Sequence, residues 1–178
     1  MIKKLASRIV YRNPWMTVRE DEVEFPGGHQ GIYGVVEKPD FALIVPMEAG
    51  TVYLVRQYRY PVQGAYWEFP QGSYHTQGDV KPVELARGEL SEETGLVAGS
   101  LEQIGFLHEA NGYSNQGFHI FLATDLTQGP RRLEVTEQGM EVRRVSLADF
   151  EQMVLAGEIR DAPTLSAYAL LKIKNIIP

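Results

Sequence analysis

The sequence predicts a protein of the α/β (α+β) class, with a mixed β-sheet sandwiched between helices. Segments with strand patterns stand both before and after one clear helical segment at 80–96, and two more helical segments follow near the end of the chain. This order is typical of layered domains with a sheet at the centre. The 178 residues suffice for one well-cored domain, or for a domain of about 140 residues with a small appendage.

The first part of the chain predicts strands. Residues 8–38 contain three short strand-like segments, with a turn signal in "PGG" at 26–28, and we expect three antiparallel strands there. The segments "FALIVPM" (41–47) and "TVYLVRQYRY" (51–60) are more apolar and flank a turn, which predicts a hairpin of interior strands.

The central segment "VKPVELARGELSEETGL" predicts a helix. Pro82 stands near its first turn and Gly95 at its C-terminal cap, while Val83, Ala86 and Leu90 form the expected buried stripe. Three further strands are expected in "LEQIGFLHEA", "GFHIFLATDL" and "MEVRRVSL".

The last part of the chain predicts two helices. One is expected to begin at a capping-box-like pair, Ser146 and Asp149, and to end at Gly157. The other is expected from about Thr164 to Lys174.

Composition excludes several classes of function. The formal net charge of −6 argues against a non-specific nucleic-acid binder, which displays a basic face. The absence of cysteine excludes disulfides, thiol nucleophiles and cysteine-ligated zinc. The first ten residues do not form a signal peptide and no apolar run reaches the length of a membrane span, so we expect a cytoplasmic protein.

The stretch "ELSEETGL" crowds three carboxylates at a helix C-terminus. Glu89, Glu92 and Glu93 stand at i, i+3 and i+4 and therefore share one face. Like charges repel there, and the helix dipole also disfavours anions at this end. Either this is a solvated acidic face, or the carboxylates form a binding site for hard cations such as Mg²⁺.

The flanks favour the cation site, because "GSYHTQGDVKPVELARGELSEETGL" resembles the Nudix box of hydrolases. The octad at 89–96 fits fully, and Gly78 with Asp79 supplies the acidic pair of the loop with about two residues of extra spacing. Gly88 departs from the family, which usually has arginine there. Neighbouring Arg87 does not replace it, because it points about 100° away around the helix.

The resemblance extends over most of the chain and indicates the ADP-ribose pyrophosphatase branch, through "NPWMTVREDEV", "LVRQYRYPV", "YWEFPQG" and "AGEIRDAPTLSAYALL". It implies a Nudix fold with two parts: residues 1–38, a small β subdomain that serves dimerisation and the substrate pocket, and the hydrolase domain at 39–178. It also implies a homodimer that uses Mg²⁺ or Mn²⁺ to hydrolyse the diphosphate bridge of a nucleoside diphosphate sugar. ADP-ribose is the preferred candidate.

The resemblance assigns further site residues. Glu89, Glu92, Glu93 and the backbone carbonyl of Gln71 are the expected metal ligands. Arg59 is expected to contact phosphate, and Arg56 is a second candidate, since a guanidinium matches phosphate geometry.

Trp15 and Glu68 have two interpretations each. Trp15 either stacks on the nucleotide base or is a core residue. Glu68 either lies buried against the site or points outward from its strand.

The water-activating base is expected in "RLEVTEQGMEV". Gln138 stands where the branch often has glutamate, and a neutral amide cannot accept a proton. Glu137 is our candidate, Glu134 and Glu141 are reserves, and a solvated loop is the alternative. The histidines His75, His108 and His119 lack metal-binding spacing with the box.

Two alternative functions remain open at this point. "PQG" is also found in Nudix enzymes that act on dinucleoside polyphosphates or RNA 5′ ends, although the charge of −6 weakens an RNA substrate. Gly88 and Gln138 instead favour a non-catalytic sensor of nucleotide sugars, whereas three intact box glutamates favour catalysis.

Overall fold

The computed structural model describes residues 1–73, 80–133 and 137–178. Its strands are β1 Lys3–Arg12, β2 Thr17–Glu24, β3 Gln30–Glu37, β4 Phe41–Glu48, β5 Thr51–Arg59, β6 Gly64–Glu68, β7 Gln71–Gly72, β8 Leu96–His108, β9 Gly117–Gln128 and β10 Glu141–Ser146. Its helices are α1 Pro82–Thr94, α2 Leu147–Leu155 and α3 Ala162–Ile173, with a 3₁₀ turn at Tyr60–Val62.

The first three strands form a separate antiparallel sheet in the order β1-β2-β3. Every residue of β1 is exposed. The sheet is joined to the rest of the chain at β3, where the Val36 N–H donates to the carbonyl of Tyr113 at 2.8 Å and the Asn115 N–H donates to the carbonyl of Val36 at 3.2 Å.

The central sheet is mixed, as predicted. It runs β10-β5-β4-β9-β8, with β6 added beside β5 and β7 beside β4. The pair β4 and β9 is parallel and the others are antiparallel. The predicted hairpin joins β4 to β5, where Glu48 pairs with Thr51.

Successive residues of β4 pack into two different cores, because side chains alternate across a strand. Leu43 and Val45 belong to the core formed with α2 and α3. Ala42 and Ile44 belong to the core formed with α1. Helices therefore cover both faces of the sheet, and the predicted fold class is confirmed.

The ends of the helices follow from local sequence. Gly95 ends α1 in the left-handed region at φ 74°, where glycine is favoured. The Ser146 hydroxyl accepts from the Asp149 N–H at the start of α2. Helix α3 begins earlier than predicted, because Asp161 caps it by accepting from the Thr164 N–H. No helix in the described ranges is long and apolar enough to cross a membrane.

Candidate active site

The three glutamates of α1 differ in burial. Glu93 is 1% exposed, Glu89 is half-buried and Glu92 is exposed. An ionised carboxylate is costly to bury without a partner of opposite charge. The fully buried position of Glu93 therefore does not fit a solvated acidic face.

The short strand β7 lies against these carboxylates. The Gln71 N–H donates to Oε2 of Glu93 at 3.0 Å. A Cβ atom at Gly72 would lie 2.5 Å from the carboxylate of Glu89. Glycine at 72 thus permits the close approach of backbone and carboxylate.

Four carboxylates influence one another in this region. Burial raises the pKa of Glu93 well above its ordinary value, and the negative charges of Glu89, Glu137 and Glu68 raise it further. Such a concentration of anionic oxygen is the donor set that hard divalent cations prefer. Within the three described ranges, the side chains as placed include no group of three or more Asp, Glu or His residues that could hold a metal ion.

A cavity of about 770 Å³ adjoins β7. Its walls come from the ends of β5, β6 and β7, from the segment that precedes β9 and from the start of α3. The described lining includes Lys38, Arg59, Tyr66, Glu68, Gln71, Gly72, Tyr113, Arg160 and Asp161. Because Gln71 and Gly72 also contact the box carboxylates, the cavity ends beside the acidic cluster.

Arg59 and Glu68 form an ion pair in this cavity. The Nε atom of Arg59 donates to Oε2 of Glu68 at 3.3 Å, its Nη2 donates to Oε1, and Gln57 donates to Oε1 at 3.0 Å. Burial raises the pKa of Glu68, although Arg59 and Gln57 oppose this effect. Burial lowers the pKa of Arg59, but the negative charges of Glu68, Glu93 and Asp161 together outweigh it, so the net pKa is raised and the guanidinium stays charged.

The two interpretations of Glu68 are thus decided by its position. It is 2% exposed, so the outward alternative is wrong. The alternative of Trp15 as a core residue is also wrong, since 56% of it is exposed.

The other predicted substrate residues lie outside the lining of this chain's own cavity. Trp15 lies in the loop between β1 and β2, where its backbone N–H donates to the side-chain oxygen of Asn13. Arg56 pairs with Glu141 on β10, with 2.7 Å between Nη1 and Oε1. An odd separation on one strand places Arg56 and Arg59 on opposite faces of β5.

Glu137 lies at the start of a tight turn, in which the Met140 N–H donates to its carbonyl at 3.0 Å. Its charge contributes to the raised pKa of Glu93, so the predicted base lies close enough for the two charges to interact. Gln138 is exposed. Glu134, His75, Gly78 and Asp79 lie outside the described residues.

Other residues singled out in the sequence have structural contacts. His119 approaches Gln103 at 3.1 Å, and the ring of His108 packs edge-on against Phe106. Arg87 donates to the carbonyl of Ala98 at 3.3 Å, which agrees with its expected direction away from Glu92. Gly88 is half-buried within α1.

Sequence reasoning missed Asp161 in the cavity wall. Its Oδ2 accepts from the Gln71 side chain at 3.2 Å while it also caps α3. The available signal was the acidic residue before "APT", which is a typical helix start. The same contact explains how the Gln71 side chain is held.

Comparisons with known proteins agree with this geometry. The family model described as "Nucleoside diphosphate sugar hydrolase N-terminal domain" matches residues 2–36, and the "NUDIX domain" model matches residues 37–168. An ADP-ribose pyrophosphatase of Bacillus subtilis (strain 168) is 28% identical over 177 residues, which cover 98% of this chain and 95% of the relative.

A second relative and a solved structure extend the comparison. An ADP-ribose pyrophosphatase of Mycobacterium tuberculosis (strain ATCC 25618 / H37Rv) is 31% identical over 157 residues, which cover 87% of this chain and 75% of the relative. A crystal structure titled as an ADP compounds hydrolase has a TM-score of 0.85 and 24% identity, and the match covers 96% of this chain and 92% of that one. This structural likeness shows the fold.

Proposed function

The chain belongs to the Nudix family, and we propose that it hydrolyses the diphosphate bridge of a nucleoside diphosphate sugar. ADP-ribose is the preferred substrate, and the products are a nucleoside monophosphate and a sugar phosphate. One observation carries the proposal: strand β7 contacts both the cavity and the acidic cluster. Gln71 and Gly72 line the 770 Å³ cavity, and the same two residues contact Glu93 and Glu89, respectively. The names of the two relatives support this substrate class.

The residues present fit Mg²⁺ or Mn²⁺. Glu89, Glu92, Glu93 and the carbonyl of Gln71 would hold the ions. The repulsion of buried Glu93 by the charge of Glu89 would be relieved once cations lie between them. When bound, such ions polarise the phosphates and lower the pKa of water. The repulsion between the carboxylates in the metal-free protein therefore favours cation binding at this site.

The other side chains bind and orient the substrate. Arg59 binds a phosphate of the bridge, since its Nη1 is not engaged in the two hydrogen bonds to Glu68 and guanidinium donors match phosphate oxygens. Glu68 holds the Arg59 plane. Arg56, on the opposite face of β5, is the second candidate for a phosphate contact. Glu137 accepts a proton from the attacking water.

We also propose a cytoplasmic homodimer in which residues 1–38 act as the dimerisation subdomain and 39–178 as the hydrolase domain. The β1-β2-β3 sheet and the loop between β1 and β2 expose large apolar side chains, a surface that suits a second copy. These are Leu5, Ile9, Val10, Tyr11, Trp15, Ile32 and Tyr33. Trp15 would then reach the nucleotide base in the partner's pocket.

A substrate panel tests the function. ADP-ribose, GDP-mannose, UDP-glucose, a diadenosine polyphosphate and a 5′-triphosphate RNA are incubated with Mg²⁺, and the products are separated. We expect a nucleoside monophosphate and a sugar phosphate from ADP-ribose at the highest kcat/KM. Faster turnover of the polyphosphate or RNA would replace the substrate class, and binding of ADP-ribose without turnover would indicate a sensor.

A further inference from the structure

We infer that Arg131 is a positioning residue, which fixes the turn that carries Glu137 against the C-terminal turn of α1. The inference rests on the proposed role of Glu137 as the base. It concerns a residue of the segment between β9 and β10 that the box motif does not include. Arg131 touches neither the cavity lining nor a carboxylate in any described contact.

The guanidinium of Arg131 joins two backbone carbonyls from distant parts of the chain. Its Nε donates to the carbonyl of Glu93 at 2.6 Å, and its Nη2 donates to the carbonyl of Met140 at 2.9 Å. Met140 closes the turn that begins at Glu137, with 3.0 Å between the Met140 nitrogen and the Glu137 carbonyl oxygen. One side chain therefore links α1, which carries the proposed metal ligands, to the 137–140 turn, which carries the proposed base Glu137.

The segment around Arg131 also caps α1. The Gly129 N–H donates to the Gly95 carbonyl at 2.7 Å and the Arg132 N–H donates to the Glu92 carbonyl at 3.3 Å. The last carbonyls of a helix lack partners within the helix, and a cation there is favourable with the dipole. Arg131 thus offsets part of the cost of placing glutamates at this end.

A helix cap alone would not require the second contact. The hydrogen bond to Met140 comes from a second guanidinium nitrogen and stabilises the 137–140 turn instead of the helix. The charge of Glu137 acts on Glu93, so the relative placement of these two carboxylates depends on the contacts that bridge their segments. Arginine suits this task because its planar guanidinium holds two separate donor nitrogens in fixed positions, whereas lysine is a point charge.

The consequence for catalysis is a kcat effect without a binding effect. A base displaced by about 1 Å can lose up to 100-fold in rate, while the cavity that binds the nucleotide keeps its lining. Arg131→Ala should therefore lower kcat at least about tenfold with KM changed less than about twofold. A purely structural cap would lower the melting temperature and leave kcat of the folded protein intact.

The experiment compares Arg131→Ala, Arg131→Lys and the matched control Arg132→Ala, which removes an adjacent charge but keeps the backbone N–H that donates to Glu92. Steady-state kinetics on ADP-ribose with Mg²⁺ give kcat and KM. Melting temperature and amide hydrogen exchange are measured on the metal-free proteins. The Met140 amide should exchange at least about tenfold faster in Arg131→Ala than in Arg132→Ala.

Partial recovery of kcat in Arg131→Lys, with wild-type kinetics in Arg132→Ala, completes the expected result. Equal kcat in the two alanine variants, or unchanged exchange at Met140, would overturn the inference. If Arg131→Ala does not fold, Arg131→Lys decides by the same two measurements, and wild-type values would overturn the inference. Hydrogen exchange is measured without substrate, so it tests the contacts of Arg131 with Glu93 and Met140 independently of activity. Failure of the wild-type protein to hydrolyse ADP-ribose would refute the proposed function instead.

Discussion

The buried carboxylate of Glu93 accepts a hydrogen bond from the backbone of Gln71, with 3.0 Å between Oε2 and the nitrogen. Gln71 in turn lines the cavity, so one peptide group joins the acidic cluster to the space for substrate. A single N–H only partly offsets the burial of a full charge. The metal-free protein therefore carries an electrostatic cost that a divalent cation would relieve.

Replacement of the box carboxylates separates catalysis from folding. Glu93→Gln and Glu89→Gln should each lower kcat by at least about a hundredfold, because each removes a ligand charge. A glutamine oxygen at 93 can still accept from Gln71, so the fold should persist. Circular dichroism checks the fold, and Mg²⁺-dependent turnover checks activity; unchanged turnover in either variant would remove the metal assignment.

The raised pKa of Glu93 predicts how the stability of the metal-free protein depends on pH. A carboxyl with a raised folded-state pKa stabilises the fold fully where the unfolded chain is also protonated, below about pH 4.3, and loses this as pH rises through the folded value. As pH rises above about 4.3, the melting temperature should therefore fall more steeply in wild type than in Glu93→Gln. Parallel curves for the two proteins in EDTA would contradict this.

The ion pair of Arg59 and Glu68 predicts different roles for the two arginines of β5. Arg59→Lys should raise KM for ADP-ribose about tenfold, because the three donors of lysine radiate from one nitrogen and cannot span both oxygens of Glu68 and a phosphate as a guanidinium does. Arg56→Lys should have a smaller effect, since Arg56 lies outside the cavity lining and pairs with Glu141. Kinetics of both variants check this, and an equal or larger KM change at Arg56 would reverse the assignment.

Local signals explain why much of the fold was predictable. Strand alternation, the Pro82 and Gly95 ends of α1 and the Ser146 cap of α2 are each set by a few adjacent residues. The box glutamates share a face because of helix geometry alone. These features need no knowledge of how distant segments pack.

Contacts between distant segments determine the features that sequence reasoning missed or left open. Asp161 meets Gln71 only because α3 begins beside β7, and Arg131 reaches Glu93 only because the chain after β9 returns to the end of α1. The burial of Glu68 likewise comes from the pairing of β6 with β5, where Glu68 faces Val55. The residue pattern within one segment does not predict which distant residues it will contact.

Deletion of residues 1–38 tests the role of the N-terminal subdomain. It removes Lys38 from the cavity lining and the β3 contacts that hold the 112–115 segment, including the hydrogen bond from Tyr33 Oη to the Gly112 carbonyl at 3.1 Å. The remaining core should be poorly soluble or unable to bind ADP-ribose. Light scattering and isothermal titration check this; a well-behaved monomer with full activity would contradict it.

Gly72 permits the closest approach between the cavity wall and the box. A Cβ atom there would lie 2.5 Å from the Glu89 carboxylate, which is the mobile end of a side chain. Gly72→Ala should therefore displace the carboxylate at little cost in stability and lower kcat about tenfold or more, because a metal ligand is misplaced.

Gly112→Ala is the matched control for Gly72→Ala, since its Cβ atom would meet nothing within 4 Å. Both variants should melt within a few degrees of wild type, because the two substitutions differ in what the methyl group approaches and not in its size. The kcat at saturating Mg²⁺ should fall in Gly72→Ala alone. If the two variants have equal kcat, the contact of Gly72 with Glu89 has no role in placing the ligand, because the carboxylate can then bind the metal from a displaced rotamer.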